Sequence, residues 1–159
     1  MALRHDPTKH VVTFIPNILV GGIPHTVVGH DMSDWATVSD DNDRMTLSSS
    51  GDGIQTFEKN AIKSASITLK IMQNSPSVSA INSMIKAHEL LDVEIGQIIY
   101  TNGNTRQVDT LTGCELSKMP DRSASDKNGV FEYKFLCTGR ETVDLDSIIL
   151  TNVSNVITN

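Results

Sequence analysis

The segment from Ser64 to Gln73 constrains this chain's fold more than any other. It alternates, with Ala65, Ile67, Leu69 and Ile71 on one side and Ser66, Thr68, Lys70 and Met72 on the other. A period of two describes a strand with one dry face and one mostly wet face. Asn74-Ser75-Pro76-Ser77 follows directly. Ser75 is a residue type that caps helix N-termini, and Pro76 suits the first helical position, where its missing N–H would have no partner anyway. The spacing then predicts a helix over 76–91. Val78, Ile81, Ile85 and His88 share one stripe, widened by Ala80, Met84, Ala87 and Leu91. A short helix with one apolar stripe must cover a sheet, so Val78, Ile81 and Ile85 are expected on the face that carries Ile67, Leu69 and Ile71.

The rest of the chain reads as strands and turns. Val11 to Ile15 is a β-branched strand stopped at Pro16-Asn17, with Ile18-Leu19-Val20 as its hairpin partner. Extended pieces are expected at His25 to Val28, Trp35 to Val38 and Ile54 to Phe57. Longer strands follow at Val93 to Thr101 and Arg106 to Ser117, joined by the hairpin signal Asn102-Gly103-Asn104. After a polar loop from Lys118 to Gly129, Val130 to Cys137 sets Phe131, Tyr133, Phe135 and Cys137 against Glu132 and Lys134, and Leu145 to Leu150 is the last strand. The fold class is mainly β: an antiparallel β-sandwich or small barrel, one flanking helix at about 76–91, and a long projecting hairpin loop. A chain of 159 residues fits a single domain, 1–159, with residues 1–10 and 152–159 as flexible arms.

Composition narrows the function classes. Aromatics are only 4% of the chain, so the core must be largely aliphatic. A formal charge of -6 with scattered Lys and Arg argues against duplex binding, which needs clustered cations to displace counterions from phosphate. Cys114 and Cys137 form no zinc-type pair and read as buried free thiols in a reducing compartment. No apolar run approaches membrane-spanning length and no apolar signal core opens the sequence, so the expectation is a soluble protein made in the cytoplasm.

Candidate chemistry is sparse. Asp40, Asp41 and Asp43 lack the glycine and distal glutamate of a calcium loop. His25, His30 and Asp31 match no metal-ligand spacing, and His88 sits on the apolar side of its helix as a packing contact. Gly51-Asp52-Gly53 lacks the lysine and following helix of a phosphate loop, and there is no GxSxG elbow. The expectation is no enzyme, no cofactor and no metal. What stands out instead is 40–56, too polar for a core and too long for an idle turn, with an acidic tip and the apolar shoulders Met45, Leu47 and Ile54.

The order of these features, densest from Asp40 to Leu91, resembles the tail tube proteins of long-tailed, mostly contractile, bacteriophages. The polar loop, Gly51-Asp52-Gly53, the alternating strand and Gln73-Asn74-Ser75-Pro76-Ser77 appear in that family's order. The resemblance implies a virion structural protein that forms hexameric rings. These rings stack into the tail tube, the conduit for genome ejection. It further implies that the subunit is assembled in the bacterial host cytoplasm, that tail sheath, baseplate and tape-measure proteins are its partners, and that DNA passes without specific binding. In that family the long loop contacts the next ring. Carried onto this chain, the contact residues are Asp40, Asp41, Asp43, Arg44, Met45, Leu47, Asp52 and Ile54. The alternatives are the inner tube of a phage-like bacterial contractile injection system and a β-sandwich module for a small ligand.

Overall fold

The computed structural model describes residues 6–20, 22–30, 34–122 and 128–145. Strand β6 (Ala65–Met72) lies where the alternation places it, with Ala65, Ile67, Leu69 and Ile71 fully buried. Helix α1 (Pro76–Leu91) starts at the expected cap: Ser75 Oγ accepts from the Ser77 N–H at 3.1 Å. Asp92, in the left-handed conformation at φ 51°, ends it. The cap hydroxyl also donates to the Val28 carbonyl at 2.5 Å, and the Ser77 hydroxyl accepts from the Val28 N–H at 2.9 Å. The helix start is thereby stitched to the 25–28 segment. Val78, Ile81, Met84 and Ile85 turn inward and share one buried cluster with Ile67, Leu69 and Ile71. Leu91, at the far end of the stripe, is half exposed, and His88 donates from Nδ1 to the Val93 carbonyl just beyond the helix.

The remaining strands are β1 (His10–Pro16), β2 (His25–Thr26), β3 (Ala36–Asp40), β4 (Met45–Ser49), β5 (Gln55–Lys59), β7 (Gly96–Asn102), β8 (Gln107–Lys118) and β9 (Val130–Asp144). Among the described residues, seven strands form one antiparallel sheet in the order β2-β1-β7-β8-β9-β6-β3, and β4 and β5 form a separate two-stranded ribbon. The large sheet is strongly curled. Strands β1 and β9 are three steps apart, about 14 Å across a flat sheet, yet the Phe14 and Phe135 rings meet edge to face at 5.3 Å. The curl encloses Val12, Phe14, Ile98, Leu111, Tyr133 and Phe135, with α1 packed on the β6 side. The chain from β2 then bridges the two ends of the sheet, through a single His30 to Ile71 pairing and a Met72 N–H to Gly29 carbonyl bond of 2.9 Å. That bridge leaves an open, sandwich-like sheet and not a closed barrel.

Two glycines permit the curl. Leu111 and Cys114 are both fully buried although three residues apart, which a regular strand forbids. Gly113, at φ +61°, absorbs the extra residue, and a Cβ there would lie 2.2 Å from Thr138 Oγ1. At Gly96, φ +131°, a Cβ would lie 2.3 Å from the Ile15 carbonyl oxygen, so only glycine lets β7 approach the end of β1.

Several boundaries differ from the sequence reading. Ile18–Val20 is a 3-10 turn and not the partner of β1. The seven-pair ladder to β7 occupies β1 instead, while Asn17 bonds back to Ile95 and its side chain accepts from the Leu19 N–H. The lead-in expected through residue 10 is partly folded. Pro7–Lys9 is a 3-10 turn capped by Asp6, His10 opens β1, and the Asp6 N–H bonds Asn104 Oδ1 at 3.0 Å. Strand β9 runs seven residues past Cys137, held by β8 out to Asp144. The strand expected at Leu145 to Leu150 lies, after Leu145, outside the described residues, as do residues 1–5 and 152–159 of the expected arms.

Candidate functional site

The polar segment 40–56 resolves into a hairpin that stands apart from the large sheet. Strands β4 and β5 pair from Met45 with Lys59 to Ser49 with Gln55, and all ten of their residues are exposed. Directly paired residues share a face, so Met45, Leu47 and Phe57 lie together, with Leu47 opposite Phe57. Thr46, Ser48, Thr56 and Glu58 form the other face, where Ser48 donates to Glu58 at 3.2 Å. Phe57 is 71% exposed, Met45 60% and Leu47 52%. A two-stranded ribbon with an uncovered apolar face is marginal alone, because the burial that stabilises sheets is missing. Ile54, at the turn, is also exposed.

The turn is built from local bonds. The Ser50 N–H donates to the Ile54 carbonyl at 2.9 Å, and the Gly53 N–H to the Ser50 carbonyl at 3.0 Å, with Gly53 at φ +86°. The Ser50 hydroxyl donates to Asp52 and holds its carboxyl below the usual carboxylate range. This register corrects the acidic-tip reading. Met45 pairs with Lys59, so the turn falls at 50–53, and Asp40, Asp41 and Asp43 lie at the root. Asp52 is the single acid at the tip.

The root is the most strongly tied part of the hairpin. Asp40, the last residue of β3, accepts from Arg44 Nε and from Arg140 Nη1, each at 3.0 Å. The Arg44 hydrogen bond, then burial opposing it, then Arg140, leave the Asp40 carboxyl below its ordinary value. Arg140 also donates from Nε to Asp109 at 3.1 Å, and Asp109, almost fully buried, accepts from the Thr142 hydroxyl at 2.5 Å. Burial works against the Arg140 charge, but its bonds to Asp109 and Asp40 outweigh that and push its pKa up. Backbone bonds close the root: Asp41 N–H to Ser64 carbonyl at 3.1 Å and Asn60 N–H to Arg44 carbonyl at 3.0 Å.

Sequence reasoning placed Asp40, Asp41, Asp43, Arg44, Met45, Leu47, Asp52 and Ile54 together on one projecting loop, and the structure puts Met45, Leu47, Asp52 and Ile54 on the hairpin with Asp40, Asp41, Asp43 and Arg44 at its root. It missed Phe57, the largest exposed apolar side chain of the ribbon, although the Phe57-Lys59 alternation pairs it with Met45-Leu47. It also missed Arg140 and Asp109, whose partners are distant in sequence. Among the described residues, no group of three or more His, Cys, Asp or Glu is placed to hold a metal ion. A cleft of about 700 Å³ beside α1 is lined by a mixture of Val78, Asn82, Ile85, Lys86, Glu89 and Phe131. No helix among the described residues is long and apolar enough to cross a membrane.

The large sheet also presents free edges. Strands β2 and β3 end it, and β6 covers β9 only as far as Cys137, so residues 138–144 pair on one side alone among the described strands.

This architecture is similar to that of solved subunits from contractile injection particles. The anti-feeding prophage cap, which terminates that particle's tube, matches with a TM-score of 0.58 at 14% identity, over 91% of this chain and 95% of that one. A chain of the anti-feeding prophage baseplate matches at 0.55 and 12% identity, over 91% and 99%. A third, from the sheath/tube terminator of the PVC extracellular contractile injection system in its extended state, matches at 0.51 and 12%, over 89% and 99%. At such identities the likeness establishes the fold: the chain has the fold of subunits from contractile tail-like particles. None of the curated proteins matches it. A sequence profile of the bacteriophage PhiTE tail tube protein matches residues 15–144, and the chain belongs to that tail tube family. It is a structural tail component and not an enzyme.

Proposed function

We propose that this chain is the virion subunit whose hexameric rings stack into the phage tail tube, the conduit through which the genome is ejected. The observation that carries the reading is the exposed hairpin with its apolar face of Met45, Leu47 and Phe57, rooted in the sheet through Asp40 and Arg140. Uncovered apolar surface on a projecting element marks an interaction site. The hairpin is the inter-ring contact, made by Met45, Leu47, Ile54 and Phe57, with Asp40, Asp41, Asp43, Arg44 and Asp52 at its polar margins. Exposed sheet edges are a liability unless another chain pairs with them, and ring closure uses them up. Stacking is heterologous and open, so it propagates into a tube. The net charge of -6 suits a lumen from which DNA must be released. Sheath, baseplate and tape-measure proteins are the expected partners, and the assembled virion tail is the expected location.

The similarity to anti-feeding prophage and PVC chains favours a second reading, the inner tube of a bacterial contractile injection system. The two readings share the ring and the hairpin. Replacing 42–59 with a short Gly-Ser turn, which keeps β3 and Asp40 and removes the whole β4–β5 ribbon with Phe57, tests both: the domain should fold and rings should persist, while long tubes should vanish in electron micrographs. Tubes of wild-type length from the shortened protein would refute the hairpin as inter-ring connector.

A further inference from the structure

Cys114 and Cys137 are twenty-three residues apart in sequence and face each other directly across β8 and β9. Their sulfurs are 2.6 Å apart, and both side chains are buried, at 0% and 3% exposure. Both thiols are free. The position is strategic. Cys137 also pairs with Ala65, the first residue of β6, so it is the last β9 residue covered on both sides. Beyond it, residues 138–144 depend on β8, and this stretch carries the Arg140 that holds the hairpin root.

We propose that Cys114 and Cys137 are a latent cross-strand disulfide, reduced when the subunit is made and closed by a small oxidant afterwards. With hydrogen peroxide as the oxidant the step balances. One sulfur attacks a peroxide oxygen, the O–O bond breaks, and a sulfenic acid and one water result. The second sulfur then attacks the sulfenic sulfur, the S–O bond breaks, the S–S bond forms, and a second water leaves. In sum two thiols lose two protons and two electrons, and one peroxide becomes two waters. Reaction is slow, because both sulfurs are buried and the hydrogen bond with Cys137, together with burial, keeps the Cys114 thiol protonated. Once formed, the bond closes a loop of about two dozen residues and removes freedom from the unfolded chain. It fastens β8 to β9 at the point where β9 leaves the cover of β6.

The test uses the full chain, folded, treated with hydrogen peroxide and compared with a dithiothreitol-reduced sample. The expected product is a monomer lighter by two hydrogens that takes up no iodoacetamide after denaturation. Its Tm should rise on the order of 10 °C. Cys137→Ala should show neither the mass loss nor the rise. Both thiols still alkylated after prolonged exposure, added oxygen mass in place of lost hydrogen, cross-linked dimers, or an oxidised monomer melting with the reduced one would each overturn the proposal. So would an equal rise in Cys137→Ala.

Discussion

Replacing Phe57 with Ser separates folding from assembly. Phe57 is 71% exposed in the subunit and lies outside the buried core cluster, so its loss should leave the Tm of the unassembled protein within about 1 °C. Assembly is another matter. An aromatic side chain offers about 200 Å² of surface, of which the exposed share here is about 140 Å². Fully buried in an inter-ring contact at about 25 cal/mol per Å², that area contributes up to roughly 3.5 kcal/mol. Incomplete burial and the entropy of fixing the ring reduce this to about 2–3 kcal/mol per contact. Ser recovers almost none of it, so the protein concentration at which tubes first form should rise roughly 30- to 150-fold. Sedimentation of tubes across a concentration series measures that threshold. An unchanged threshold, with an unchanged Tm, would refute the assignment of this hairpin face as a buried contact.

Ile81→Asp places an unpaired carboxylate in the cluster between α1 and β6, where Ile81 is 1% exposed, and should destabilise the fold by about 3–5 kcal/mol in denaturant titration. Asp40→Asn removes a carboxylate whose folded pKa lies below the ordinary 3.8. A depressed folded value means that the charge's contribution is present above the unfolded pKa and lost as pH falls through the folded one. Wild type should therefore melt above Asp40→Asn at neutral pH, and the two should converge below about pH 3.8; a gap that persists in acid would show that the Arg44 and Arg140 pairs are not its source. Filter binding with duplex DNA at moderate salt should detect negligible retention, and tight, salt-sensitive binding would contradict the conduit reading.

How much of this was legible follows from where each signal resides. The helix was readable to the residue because its determinants are local: Ser75 caps, Pro76 starts and the Val78–Ile81–Ile85 stripe turns inward. Strand β6 was equally plain, since its alternation survives burial on both edges. Residues 138–144 carry no such alternation and are extended because β8 pairs with them, a fact no local window contains. The Ile18–Val20 turn misled because short apolar runs fit a strand as well as a turn, and the competing β7 partner lies some eighty residues away. At the hairpin, polarity marked the segment, but its register did not show until β4 and β5 were paired. That pairing moved Asp40 and its neighbours from tip to root and exposed Phe57. Arg140 reaches Asp40 across one hundred residues, beyond any motif.

The central claim is that the subunit builds a tube by repetition. Electron microscopy of the purified full chain over a concentration series tests it most directly. The account predicts closed rings that stack into hollow tubes of uniform width as concentration rises. A strictly monomeric particle at the highest concentration, with no rings on addition of tail partners, would contradict it.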